Sequence, residues 1–210
     1  MIKIIFLFLL VSVMTGCSYS NMIKNPGAEL SPADSNWTSL SGRWTHRSVA
    51  PLPQKGKSYF FPGVAANAEL AQDVDVSNYA FFIDNGLISA DYSGYVRSYP
   101  QRPADESAEM LKFINKNGEV IDSFKTKYYD STNAWVHIVK KMKLPGGTRA
   151  IRVTLISKRN KGSNNDGYHD NLSLTLSNSL SIYFILLLII IVAGGMYFFY
   201  KRNKRQRKLH

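Results

Sequence analysis

Between Ser20 and Ser177 apolar residues recur at every second position more often than at helical spacing. Residues 165–176 read Asn-Asp-Gly-Tyr-His-Asp-Asn-Leu-Ser-Leu-Thr-Leu, so Leu172, Leu174 and Leu176 alternate with Ser173 and Thr175. That alternation puts three leucines on one face of a strand and leaves the other face polar. Over 150–157, Ile151, Val153 and Leu155 alternate with Arg152 and Thr154. Over 68–76, Leu70, Gln72, Val74 and Val76 alternate with Ala71, Asp73 and Asp75. Gln72 falls on the apolar side, so its amide is expected to bond to backbone, since burying it unpaired is costly.

The same pattern predicts strands at 43–47, 57–61, 68–76, 79–83, 87–99, 108–114, 119–124, 135–144, 150–157 and 168–176. Turn residues stand between them: Pro62-Gly63, Asp84-Asn85-Gly86, Pro100 to Pro103, Asn115 to Gly118, and Pro145-Gly146-Gly147. Asn117-Gly118 between two apolar runs predicts a hairpin. The run 108–114 is apolar on both faces and is expected to be a central strand. About ten short strands in one domain indicate two packed antiparallel sheets, an all-β sandwich over residues 21–177.

The two ends depart from period two. Residues 1–16 carry Lys3 and then a nearly all-apolar stretch, too short to span a bilayer, and read as a secretory signal peptide. Thr15-Gly16-Cys17 resembles the lipobox of bacterial lipoproteins, which implies lipidation of Cys17, the single cysteine of the chain. Met14 departs from the usual Leu or Val, and cleavage near Ser20, discarding Cys17, is the alternative. Residues 182–200 hold no charged side chain, and Tyr183, Tyr197 and Tyr200 sit near the two ends of the run. The expectation is a transmembrane helix over 181–200 followed by a basic cytoplasmic tail over 201–210, with the sandwich on the extracytoplasmic side of a bacterial cell membrane.

Charge sharpens this division. The formal net charge is +11, but Lys201, Arg202, Lys204, Arg205, Arg207 and Lys208 lie in the last ten positions. Residues 17–180 hold 19 basic and 15 acidic residues, a balance of +4. The basic excess is thus mostly that of the tail and gives no reason to expect a nucleic-acid partner. An enzyme is not indicated either. His46, His137, His169 and His210 sit in no catalytic motif, and the adjacent carboxylates Asp105 and Glu106 point apart on a strand. Trp37, Trp44 and Trp135 read as packing residues.

Two end motifs carry a resemblance. Asn21-Met-Ile-Lys-Asn-Pro-Gly-Ala-Glu29, with Trp37-Thr38 and Gly42-Arg43-Trp44 after it, resembles the opening of galactose-binding-like jelly rolls. The closing Asp166-Gly-Tyr-His-Asp170-Asn-Leu-Ser-Leu resembles their final strand. That superfamily includes many carbohydrate-binding modules and the glycan-reading F-box-associated domain. The resemblance implies a two-sheet antiparallel jelly roll, and a structural Ca²⁺ shared by Glu29 and Asp170 with backbone carbonyls. Hard oxygen ligands suit that ion; pairing of the two carboxylates with Lys24 or an arginine is the alternative. His169, one step from Asp170, faces the other way and cannot readily join the same ion.

The resemblance also implies a ligand site among loops at one end, including the loop before the last strand. That points to Arg159, Asn164, Asn165 and Tyr168, with Asp166 in the same loop. Tyr95, Arg97 and Tyr99 share one strand face leading into the proline-rich loop, which adds Tyr99 to the candidate site. Two functions follow as expectations. One is a membrane-tethered extracytoplasmic module that recognises a glycan; the other is a non-catalytic ectodomain that holds an envelope protein.

Overall fold

The computed structural model describes residues 20–178 and 182–206, so Cys17 and the predicted leader lie outside the described residues. The chain divides into two compact units between Asn178 and Ser179. Ten strands build the first: β1 (Thr38–Ser41), β2 (Thr45–Arg47), β3 (Tyr59–Phe61), β4 (Asn67–Asp75), β5 (Ile88–Ser98), β6 (Glu106–Asn115), β7 (Val120–Lys125), β8 (Val136–Lys143), β9 (Thr148–Lys158) and β10 (Gly167–Asn178). They form two five-stranded sheets, ordered β1-β4-β9-β6-β7 and β2-β3-β10-β5-β8. Every pairing is antiparallel, and the architecture is a jelly-roll sandwich.

The alternating leucines are where their period puts them. Leu172, Leu174 and Leu176 are buried against Leu70, Val74, Ile151, Val153 and Leu155 of the facing sheet. Trp37 and Trp44 join that core, while Trp135 belongs to a smaller cluster with Tyr59, Phe61 and Tyr168. Gln72 is buried, and its side chain accepts from Lys24 N (2.7 Å) and donates to Lys24 O (3.1 Å), as its place on an apolar face demanded. The opening segment docks on the closing strand, Met22 N bonding to Leu174 O (2.9 Å) and Leu172 N to Pro26 O (3.0 Å). The predicted hairpin joins β6 to β7, with Gly118 at φ +82° and Asn115 Oδ1 accepting from Asn117 N and Glu119 N.

Two departures from the expected strands need correction. The predicted strand at 79–83 is helical: a 3-10 turn (Ser77–Tyr79) runs into α1 (Ala80–Asp84). A run apolar on all sides has no period to separate the two states, and here only Ile83 is buried while Phe81 faces solvent. Strand β1 was not predicted, because its Thr-Ser-Leu-Ser is exposed throughout and carries no alternation. The expected central strand at 108–114 lies in β6, an interior strand between β9 and β7.

The second unit holds one helix, α2 (Ile182–Gln206). Among the described residues no helix is long and apolar enough to cross a membrane; of the expected span 181–200, residues 182–200 lie in α2 and residue 181 is outside the described residues.

Candidate binding site

One end of the second sheet is covered on its outer face by a strap, residues 48–57. Side chains rising from the sheet hold it: Tyr59 Oη donates to Val49 O (3.2 Å) and Trp135 Nε1 to Leu52 O (2.9 Å). Carboxylates hold it from the other side. Asp170 Oδ2 accepts from Gln54 N (2.7 Å) and Lys55 N (3.1 Å), and Glu29 Oε1 accepts from Lys57 N (2.8 Å). Asn171 Nδ2 adds a bond to Gln54 Oε1 (2.7 Å). Gly56 (φ +75°) is required where Glu29 meets the strap, because a Cβ there would stand 2.0 Å from Glu29 Oε1. The strap is the reason Tyr59, Tyr168 and Asp170 are buried although they point away from the main core.

Glu29 and Asp170 are brought together. A Cβ on Gly27 would lie 3.5 Å from Asp170 Oδ1 and 3.6 Å from Glu29 Oε1, so the two carboxylates converge on one point. Burial first, and then the negative charge of Glu29, raise the Asp170 carboxyl to about 6 against the pull of three backbone N–H donors. Left-handed residues Asn25, Ala28 and Asn171 (φ 48°, 55° and 46°) shape the backbone around them. Two convergent carboxylates in a backbone-lined cradle are a donor set that suits a hard divalent cation, whose charge would offset their repulsion. Among the described residues no group of three or more His, Cys, Asp or Glu gathers, so backbone or water oxygens would have to complete any coordination.

Beyond the strap, at the loop end of the same face, lies a more open arrangement. The Arg47 guanidinium lies 3.4 Å from the Phe61 ring centroid, stacked on the aromatic, and its Nη1 stands 3.9 Å from Asp166 Oδ1. Tyr168 Oη donates to the same Asp166 oxygen (2.7 Å). Burial raises the Asp166 carboxyl above the ordinary range, with the Tyr168 bond and Arg47 opposing. Register pairs Gly167 with Ser98, so Asp166 and Tyr99 leave the sheet side by side, and Tyr99 is 47 % exposed. Arg97, one pleat back, donates to Thr132 O (3.3 Å) while its Nε finds no partner. Nearby, Tyr95 stacks on the exposed His137 (4.3 Å, 8°).

The residues picked from sequence divide in two. Tyr99 faces solvent at this open end. Arg159 sits in the same loop cluster, its Nη1 bracing Val64 O (2.6 Å) and Ser163 O (2.7 Å), and Asn164 is half-buried beside it. Asn165 and Tyr168 are buried: Asn165 Nδ2 bonds Ala65 O (3.1 Å), and Tyr168 supports Asp166 from beneath. Arg47, Phe61 and Asp105 were not foreseen as site residues. Asp105 is buried and organises the loop before β10, accepting from Asn160 N, Lys161 N and Asp166 N (2.7, 3.2 and 2.7 Å). A lone carboxylate next to Glu106 gave no sign of that role.

Between the sheets lies a polar centre. Ser157 Oγ, His169 Nε2 (3.2 Å) and then His169 Nδ1 and Glu109 Oε1 (3.4 Å) form a line, all buried. Ser157 donates its hydroxyl hydrogen to Gly167 O (2.7 Å), so it accepts from the imidazole. Activation of a serine nucleophile needs the reverse polarity and room for a substrate.

No family profile matches the sequence, and a search of curated proteins gave no match. Solved structures do share the fold. The enzymatically active domain of bacteriophage CBA120 tailspike protein 4 is 16 % identical with TM-score 0.56, over 74 % of this chain and 21 % of that one. A cyclase from Fischerella sp. TAU, in complex with 4-(1H-indol-3-yl)butan-2-one, is 12 % identical with TM-score 0.57, over 77 % and 99 %. The CBM22-1–GH10 modules of a Clostridium thermocellum endo-1,4-β-D-xylanase, complexed with xylohexaose, are 15 % identical with TM-score 0.50, over 79 % and 29 %. The chain thus spans about a fifth of the tailspike chain. At these identities the likeness shows the fold: the jelly roll found in carbohydrate-binding modules and in enzymes.

Proposed function

We propose that this chain is a membrane-tethered extracytoplasmic module that binds a glycan at the loop end of its second sheet, without catalysing a reaction on it. The observation that carries the reading is the group Tyr99, Asp166 and Arg47. It offers an exposed aromatic ring beside two planar, oppositely charged groups whose orientation is set by Phe61 and Tyr168. Sugars are held by that combination, apolar ring faces on aromatics and hydroxyl pairs on bidentate polar groups. The fold shared with the xylohexaose-bound modules supports the reading, as does the buried, reversed Ser157–His169 polarity. The tether is proposed from the uncharged run 182–200 and the basic residues after it. Glu29 and Asp170 would hold a structural Ca²⁺ beneath the strap, where it would neutralise their charge. Lipidation of Cys17 would add a second tether.

Titration of the full chain in detergent against a polysaccharide panel tests the reading. Saturable, competable binding is expected, weakened about tenfold or more by Tyr99→Ala and by Arg47→Ala, since each removes a contact worth about 1.4 kcal/mol or more. Silence across the panel, with recovery of one envelope protein in a pull-down, would favour a protein-holding ectodomain instead.

A further inference from the structure

We infer that the glycan is an acidic one, a polymer carrying carboxylates of the uronic-acid kind, and that a cationic rim around the Tyr99–Asp166–Arg47 group selects it; this rests on the glycan-binding reading above. Four segments meet at that end. Arg43 N bonds Pro62 O (3.3 Å), Asn165 N bonds Gly63 O (2.8 Å), Arg159 N bonds Ala66 O (2.8 Å), and Lys161 Nζ bonds Arg102 O (2.8 Å). Residues 42–47, 62–66, 99–105 and 159–166 therefore form one knitted surface. They contribute Arg43, Arg47, Arg102, Arg159 and Lys161 against only Asp105 and Asp166.

Neither acid offsets the rim fully, and only Asp166 keeps an open edge, beside Arg47. Asp105 is fully buried and gives both carboxylate oxygens to backbone N–H groups. Asp166 is nearly buried and takes the Tyr168 hydroxyl. Arg43, Arg102 and Lys161 are exposed. Among the described residues none of those three, nor Arg159, stands within ion-pair reach of a carboxylate. Elsewhere on the sandwich some cations are paired. There Lys141 pairs with Asp91, Arg149 with Asp84, Arg152 with Asp73 and Lys158 with Glu106 at 2.7–3.1 Å. Among the described residues Lys112, Lys125, Lys140 and Lys143 on the sheets have no carboxylate within ion-pair reach either. What marks the loop end is therefore the gathering of five cations on one knitted surface, against one fully and one nearly buried acid, beside an exposed tyrosine. Unpaired cations around an aromatic platform complement a ligand with sugar rings and negative charge together.

The test uses the full chain in detergent with polygalacturonate, neutral galactan and single-stranded DNA of matched length. Polygalacturonate is expected to bind most tightly, and to weaken about tenfold between 50 and 500 mM NaCl as the exposed charges are screened. The double reversal Arg43→Glu/Arg102→Glu, at exposed positions, is expected to weaken it about tenfold or more while leaving the melting temperature in place. Equal, salt-indifferent affinity for galactan would overturn this inference and leave the glycan reading standing. Binding to DNA as tight as to polygalacturonate would overturn it as well, since charge alone would then suffice. No binding to either polysaccharide would count against the glycan reading itself.

Discussion

The two halves of β10 are one strand in one sheet, yet they are packed by different rules. From Leu172 to Leu176 the leucines enter the core, while Ser173 and Thr175 stay partly open to solvent. From Gly167 to Asp170 every residue is buried, whichever way it points. The register shift between Asp170 and Ser173, with Asn171 at φ 46°, separates the halves. Up to that bulge the outer face lies under the strap; past it the face is bare. In the exit half burial needs only apolar surface. In the entrance half it needs partners for every polar atom, and those partners fix the loops that carry the open end of the site.

The sharpest way to break this comparison is to remove a partner from the entrance half. His169→Ala takes the imidazole from buried Glu109 and leaves it only the buried Tyr92 hydroxyl as a side-chain neighbour. A loss of about 4 kcal/mol in urea unfolding, followed by tryptophan fluorescence, is expected; a loss under about 1 kcal/mol would mean the polar centre carries no weight. The exit half should lose less and for another reason. Leu174→Ala is expected to cost about 3 kcal/mol through the cavity it leaves, and Thr175→Ala less than about 0.5. Equal costs for these two neighbours would contradict the one-sided burial of that half.

A smaller effect separates the halves by pH. In the metal-free fold Asp170 keeps its proton up to about pH 6, whereas an unfolded aspartate releases it near 3.9. Between those values the folded state binds more protons, so this group's contribution to stability falls as pH rises. Acidifying from pH 7 to pH 5 in chelator should therefore raise stability by about 1 kcal/mol, about 3 °C in melting temperature, relative to Asp170→Asn. Millimolar Ca²⁺ should raise the melting temperature at pH 7 and cancel or reverse that pH trend, because acid then competes with the ion. Melting curves unchanged by Ca²⁺ at pH 7 would leave Glu29 and Asp170 as strap anchors only.

The exit half was legible in the sequence because its physics is local: a period of two and a leucine at each inward step. Gln72 was legible for the same reason, its polarity on an apolar face calling for the Lys24 backbone it meets. What escaped depends on chain far away. Strand β1 has no inward residues to mark it, and α1 hides a single buried Ile83 in an apolar run. Arg47 matters through Phe61 and Asp166, and Asp105 through amides some 55 residues later. Tyr168 and Asn165 read as loop-end ligand groups, but the strap and the Ala65 carbonyl bury them, and nothing in their own neighbourhood announces either.

Hydrogen–deuterium exchange of the full chain with and without its best-binding polysaccharide tests the central claim most directly. New protection should fall in residues 43–47, 99–105 and 159–166, around Tyr99, Asp166 and Arg47, with the exit half of β10 and the β4–β9–β6 face unchanged. Protection confined to the first sheet, or to the exit half of β10, would contradict it.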